Sequence, residues 1–205
     1  MPTRAALGCK LHTGWAMLVA VTGGPSGIQV LLRRRIELLP PDNSIPRFVY
    51  HQAAEMPAGQ AAELVRRGRT AALESASVAI GDAVEKLRSQ GIRIDACGIL
   101  AGSAIPPDDL AAILRSHPLI HAAEGALFQN AIVSACESHG LKVVVSCERE
   151  IWARAAAAWD STEPGLRNNV DALREALGAP WGADQKNATA IALLALKSNR
   201  SAKTV

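Results

Sequence analysis

The stretch of the chain with the most chemically active side chains is RSHPLIHAAEGALF, residues 115–128, which contains two histidines and a glutamate. A helix is predicted over 118–139, because apolar residues recur there at helical spacing and a glycine follows. At this spacing His121 and Glu124 fall on the apolar side of the helix, one turn from its N-terminus, and His117 lies near the same line. The pattern therefore places two imidazoles close to one carboxylate.

Two interpretations of this pattern remain open. A carboxylate on a buried face is costly unless it is paired, so His121 and Glu124 can form a mutually satisfied pair that anchors the helix. Alternatively, the same two residues line a cleft as metal ligands or as an oriented general base. A metal site of this kind needs a third ligand, which the sequence does not locate.

Further polar residues follow predicted strands or open the last predicted helix, and these are Ser103, Glu148, Asp184 and Lys186. Ligands of a parallel sheet bind outside the carboxyl ends of its strands, so these residues are candidates to line a pocket there. His12 lies on the first predicted strand and is a candidate for the same pocket, and His51 ends the third strand. As isolated strand histidines, both are more typical of packing than of ligand binding.

The elements that must position these residues follow from the hydrophobic period along the chain. Apolar, β-compatible segments bounded by turn residues predict strands, and Ala-, Leu- and Glu-rich segments with helical spacing predict helices. Three antiparallel strands come first, and a later strand, crossover helix and strand imply parallel pairing. The predicted strands are 6–22, 28–39, 46–52, 92–102 and 141–147, and the predicted helices are 60–90, 106–116, 118–139, 148–159, 166–178 and 183–197.

Composition limits the class of protein. Hydrophobic residues make up 49% of the 205 residues and charged residues 20%, so a packed core is expected and disorder is not. A net charge of +3 is too small to imply a polyanionic partner by itself, and an aromatic share of 3% leaves few side chains for stacking bases. The four cysteines have no CxxC spacing and no apolar run is long enough to span a membrane, so a cytoplasmic location is predicted.

Two short segments resemble the ribonuclease H-like superfamily, in particular RuvC-type resolvases. LGCKLHTGWAML resembles a first strand of the form IDPG…TGYGV, with the best match at Thr13, Gly14 and Trp15. ADQKNATAIALL resembles the closing ADAADALAIA helix of these resolvases, with Asp184 matching one acid. The resemblance implies one α/β domain over residues 1–205, with a mixed sheet covered by helices and a helical elaboration at about 150–182.

The chain departs from this family at the positions of its catalytic acids. Such nucleases hold two metal ions with clustered carboxylates, because oxygen ligands suit Mg²⁺ and paired cations stabilise both oxygens of an in-line displacement. Here Cys9, Lys10 and Leu11 occupy the candidate positions of the first-strand acid, Ser103 replaces a glutamate, and Asn187 replaces a second acid of the last helix. The sequence also has no GxxxxGK[ST], no strand-linked GxGxxG and no GxSxG motif.

Three hypotheses about function follow. The first is a non-catalytic or binding ribonuclease H-like domain with a degenerate nuclease-type site, whose pocket at the strand ends binds a small molecule or a partner protein; for a nucleic-acid partner the sequence offers only weak support. The second is a metal-dependent phosphoesterase or nuclease with a rearranged site, in which Glu124, His121 and Asp184 act in catalysis and Glu124, Asp184 and Glu148 bind Mg²⁺ or Mn²⁺. The third is a structural module of a homodimer, which would expose a large apolar patch.

Overall fold

The computed structural model describes residues 3–102 and 104–201, which form five strands and seven helices. The strands are β1 (Thr3–His12), β2 (Trp15–Thr22), β3 (Gln29–Glu37), β4 (Ile92–Leu100) and β5 (Lys142–Ser146). The helices are α1 (Val49–Ala54), α2 (Ala58–Ser89), α3 (Leu110–Leu114), α4 (His117–Ser138), α5 (Ile151–Ala158), α6 (Glu163–Leu177) and α7 (Ala183–Ser201).

The strands form one mixed sheet in the order β3-β2-β1-β4-β5. β1, β2 and β3 pair antiparallel, and β4 pairs parallel to both β1 and β5. The predicted α/β class, with an antiparallel meander followed by parallel strands, is confirmed. Because β1, β4 and β5 run in the same direction, their carboxyl ends lie at one edge of the sheet.

The three strands that form the antiparallel meander are not the three that the sequence predicts. The segment predicted as one strand over 6–22 is the hairpin of β1 and β2, which turns at Thr13 and Gly14. Gly14 has φ +79°, a conformation that glycine adopts without steric cost, and its carbonyl accepts a hydrogen bond of 2.8 Å from the Leu38 backbone N–H. The turn therefore falls in the polar stretch KLHTG, residues 10–14, which interrupts the apolar run.

The segment predicted as a strand over 46–52 is mostly helical, because α1 spans Val49–Ala54. Its β-branched and aromatic residues favour a strand by propensity, but tertiary contacts override that preference. Val49 and Tyr50 are buried, and Val49 packs against Gly68 of α2. Glu124 accepts hydrogen bonds from backbone N–H groups in the first turn of α1.

The two faces of the sheet carry different helices. Leu7, Cys9 and Leu18 belong to a core with α2 and α4, and Met17 and Val19 belong to a second core with α5, α6 and α7. The alternation of neighbouring residues between the two cores is the period of a β-strand buried on both sides. The sheet therefore separates α4, with its histidines, from α7, with Asp184.

The segment between β5 and α7 contains the two helices α5 and α6.

Cys9, Cys97 and Cys136 are buried free thiols, and Cys147 is partly buried. Across residues 3–102 and 104–201, no helix combines the length and apolar character needed to cross a membrane.

Candidate functional site

A cavity of about 450 Å³ lies at the edge of the sheet where the carboxyl ends of β1, β4 and β5 meet. Such an edge is where open α/β sheets bind their ligands. We call this cavity the strand-end cleft, and its lining includes Lys10, His12, Gly102, Gly125, Glu148 and Arg149. Residues from the three strand ends and from α4 therefore face one space.

A chain of polar contacts occupies one side of the strand-end cleft. Lys10 Nζ donates to Glu148 Oε2, and Asn187 Nδ2 donates to Glu148 Oε1 over 2.8 Å. Trp152 Nε1 in turn donates to Asn187 Oδ1 over 2.9 Å, which fixes the orientation of the amide. Both oxygens of Glu148 are therefore engaged, one by a cation and one by an amide donor.

The second predicted acid, Asp184, pairs with His12. Their Oδ1 and Nε2 atoms are 3.0 Å apart, and each side chain is 32% exposed. The His12 ring stacks on Trp15 with centroids 4.0 Å apart, and the Arg35 guanidinium lies 4.2 Å from the Trp15 ring centre. His12 is therefore held by a carboxylate and an aromatic face, so it belongs to this site and is not an isolated strand histidine.

One exposed arginine lines the strand-end cleft, and a second lines the neighbouring depression at Thr13. Arg149 lines the cleft and is exposed, and Arg47 Nε donates over 2.9 Å to the carbonyl of Thr13, which also lines the cleft. Hydrogen bonds from Cys147 and Arg149 lower the pKa of the Glu150 carboxyl, so this neighbour stays ionised. The cleft and the neighbouring depression therefore carry one exposed arginine each, and Glu150 is an exposed acid beside Arg149.

The remaining candidate of the last helix, Lys186, contacts α6. Its Nζ pairs with Asp171 at 2.9 Å and borders an adjacent depression, which shares Glu148 with the strand-end cleft and also includes Trp152 and Arg167. Ser103 lies outside the described residues. Lys186 was predicted to line the pocket, but it pairs with α6 and does not line the strand-end cleft.

A second group of polar side chains lies on the other face of the sheet, between α1 and α4. Candidate ligand nitrogens of His51, His117 and His121 all lie within 4.8 Å of one another. His117 Nε2 and His121 Nε2 are 2.9 Å apart, and the His51 ring contacts both of the other rings edge-on. We call these three residues the histidine cluster.

The predicted pairing of Glu124 with His121 is wrong. Glu124 Oε1 accepts from the backbone N–H groups of Tyr50 and His51, at 2.7 and 3.2 Å, and lies 3.3 Å from His51 Nδ1. Glu124 is 4% exposed, as predicted for a buried carboxylate, but His121 is exposed and its partner is His117. The reason is that α1 supplies two unpaired backbone donors at this point, which a buried carboxylate satisfies better than one exposed imidazole.

The predicted site residues therefore divide between two places. Three of them lie at or next to the strand-end cleft, namely His12, Asp184 and Glu148. Three others lie beside α1, namely His117, His121 and Glu124. Within the described part of the chain, no hydrogen bond or ion pair joins Glu124 to Asp184 or Glu148. Sequence reasoning missed His51 as a member of the cluster, because its segment was predicted to be a strand.

Sequence comparisons give no relative, since no family model and no curated protein matches this chain. Structure comparison finds Thermus thermophilus RuvC, both alone and in complex with a Holliday junction substrate. Each of these structures matches with a TM-score of 0.54 and 13% identity over 97% of this chain and 96% of RuvC. An Aquifex aeolicus member of the Ppx/GppA family matches with a TM-score of 0.38 and 12% identity, over 77% of this chain and 40% of that chain.

The likeness to RuvC extends over nearly the full length of both chains. It therefore includes the sheet, with strand order β3-β2-β1-β4-β5, and the helix α7 that packs across β1 and β4. At 13% identity the likeness concerns the fold and not the activity. The chain therefore has a ribonuclease H-like fold of the RuvC type.

Proposed function

We propose that this chain is a ribonuclease H-like domain that binds nucleic acid at the strand-end cleft without cleaving it. The single observation that carries the proposal is the Lys10–Glu148 ion pair, with Asn187 on the second oxygen of Glu148. Two divalent ions in a nuclease site need several free carboxylate oxygens close together. An ammonium group and an amide donor stand where these oxygens would be needed, so the donor set does not fit such a pair.

The charge around the cleft supports binding of a phosphate backbone. Arg149 lines the cleft and Arg47 lines the neighbouring depression on the other side of Thr13; both are exposed, and exposed arginines contact phosphate oxygens without needing a metal ion. The RuvC structure that matches this fold was solved with a Holliday junction substrate, so branched DNA is the first ligand to test. A net charge of +3 means that this affinity depends on a local patch rather than on the whole surface.

The test measures binding and cleavage of the same labelled four-way DNA junction in Mg²⁺ and in Mn²⁺. We expect the junction to be bound and recovered intact. Replacing both Arg47 and Arg149 by alanine should reduce the slope of log affinity against log salt concentration by about two, because each arginine that contacts a phosphate contributes about one to that slope. The matched control replaces Arg66 and Arg88, two exposed arginines of α2, and should leave binding unchanged.

Cleavage has its own control. Mg²⁺-dependent cutting that Glu148→Gln abolishes would contradict the proposal and support the metal-dependent nuclease instead. Cutting that survives Glu148→Gln but is lost in Asp184→Asn would contradict the proposal in the same way, and cutting that survives both substitutions comes from a contaminant. Lack of junction binding at low salt would exclude branched DNA as the ligand of the cleft.

A further inference from the structure

The histidine cluster lies apart from the strand-end cleft and has the composition of a transition-metal site. It contains three of the five histidines of the chain, and two of them, His117 and His121, lie four positions apart on α4. Residues at this spacing project from one face of a helix, which is how helical histidine pairs hold one metal ion. His51, from the last turn of α1, supplies the third imidazole.

The buried carboxylate of Glu124 lies behind the histidine cluster and holds one of its imidazoles in place. Glu124 Oε1 lies 3.3 Å from His51 Nδ1, and the same oxygen is fixed by two backbone N–H groups of α1. A carboxylate at Nδ1 favours the tautomer that carries its proton there, which leaves the Nε2 lone pair of His51 free for a metal. The other oxygen of Glu124 is buried and has no hydrogen-bond partner, so the local negative charge is not neutralised within the described residues.

We propose that His51, His117 and His121 bind one divalent transition-metal ion of the zinc class, with Glu124 as the positioning residue of His51. Imidazole nitrogens suit Zn²⁺, Co²⁺, Ni²⁺ and Cu²⁺, whereas Mg²⁺ and Ca²⁺ prefer oxygen ligands. Three protein ligands leave one position of a tetrahedral ion open to water or to a substrate. His117 and His121 are both exposed, so this open position faces the solvent.

The distances require only a small rearrangement. Two nitrogens at ~2.05 Å from a tetrahedral ion are about 3.3 Å apart, which the His117–His121 pair nearly meets at 2.9 Å. All three ligand nitrogens lie within 4.8 Å of one another, so no separation exceeds the tetrahedral value of about 3.3 Å by more than about 1.5 Å. Rotation of an exposed imidazole covers this difference, whereas His51 is held by its carboxylate. The bound ion would link α1 to α4, two helices from distant parts of the chain.

The test is equilibrium binding of Zn²⁺ to the full chain, prepared without a histidine tag. We expect one ion per chain, not displaced by excess Mg²⁺. His117→Ala and His121→Ala remove exposed side chains and should each weaken binding at least about tenfold, and Glu124→Gln should weaken it about 10–100-fold through His51. His139→Ala, at the C-terminal end of the same helix, is the matched control and should bind as the wild type does.

Substitution of Co²⁺ for Zn²⁺ adds a readout of geometry, because four-coordinate Co²⁺ absorbs visible light much more strongly than six-coordinate Co²⁺. We expect the stronger, four-coordinate spectrum in the wild type and its loss in His121→Ala. The proposal is overturned if the wild type binds no Zn²⁺ at micromolar concentration. It is also overturned if His117→Ala and His121→Ala bind as tightly as His139→Ala does. Neither result depends on whether the strand-end cleft binds DNA.

Discussion

Glu124 is the only charged residue that is buried among residues 3–102 and 104–198, and it supports α1 from a distant part of the chain. It accepts from the backbone of Tyr50 and His51, more than seventy positions earlier in the chain, and no side chain of α1 caps these donors. Short helices are marginal by themselves, so α1 depends on this external acceptor. The energetic role of Glu124 can be separated from any metal by working in a chelator.

Replacing Glu124 by alanine is expected to lower the free energy of unfolding by about 2–4 kcal/mol, because it leaves two buried donors unpaired and opens a cavity. Glu124→Gln keeps an acceptor oxygen and should cost about half as much. The measurement is denaturant unfolding in the presence of a chelator. Glu137→Ala, an exposed change on the same helix, should stay within about 0.5 kcal/mol. Equal losses in Glu124→Ala and Glu137→Ala would refute the capping role.

Among the elements, α7 approaches the sheet more closely than side chains normally allow. Gly8 and Gly98 are paired residues of the neighbouring strands β1 and β4. A Cβ on Gly8 would lie 2.0 Å from the Ala188 carbonyl oxygen, and a Cβ on Gly98 would lie 2.4 Å from the Ile191 carbonyl oxygen. These distances are far below any real contact, and the obstacle in both cases is helix backbone. The two glycines thus form the groove in which α7 lies, and they fix how deeply Asp184 and Asn187 reach toward the cleft.

Gly98→Ala is therefore expected to lower the free energy of unfolding by about 1–3 kcal/mol or more, since α7 must move away from the sheet. Gly102→Ala is the matched control, because a Cβ there meets nothing within 4 Å, and it should change stability by less than about 0.5 kcal/mol. The comparison uses denaturant midpoints of the two variants. A Gly98→Ala protein as stable as the wild type would show that α7 does not pack at this depth.

Most elements could be predicted from the sequence because their hydrophobic period is long and regular. The 32-residue helix α2 and the 22-residue helix α4 are examples, as are the largely buried strand β4 and the partly exposed edge strand β5. The segment 46–54 could not, because Val49 and Tyr50 favour strands by propensity while α2 and Glu124 hold them in a helix. The contact between Tyr50 and Glu124 joins segments 74 positions apart, so the local sequence around Tyr50 does not indicate it.

The same limit applies to the candidate sites. The spacing of His117 and His121 is visible in the sequence, and so is the loss of acids at Lys10 and Asn187. The third imidazole, His51, was not predicted because its segment was assigned to a strand. The pairs Lys10–Glu148 and His12–Asp184 join residues 138 and 172 positions apart, which only the folded sheet brings together.

In the whole molecule, the sheet separates two cores, and three of the four cysteines lie in the core on the α2 and α4 side. Cys9 and Cys97 come from neighbouring strands with their sulfurs 3.8 Å apart, and Cys136 comes from α4. Hydrogen bonds to Cys136 and Cys9, together with burial, raise the pKa of the Cys97 thiol well above its usual value. The thiolate is the reactive form, so this thiol is neutral and inert in the native state.

Reaction with a small disulfide reagent at neutral pH should therefore label one thiol per native chain, that of the partly buried Cys147, and all four after denaturation. The three remaining thiols should react at the rate of global unfolding, because exposing them means separating α4 from the sheet. Cys147→Ser serves as the control and should abolish the fast phase. Two or more fast thiols in the native protein would mean that α4 opens locally. In that case α4 would not be a rigid support for the histidine cluster, and a metal ion at that cluster should slow the labelling of Cys136.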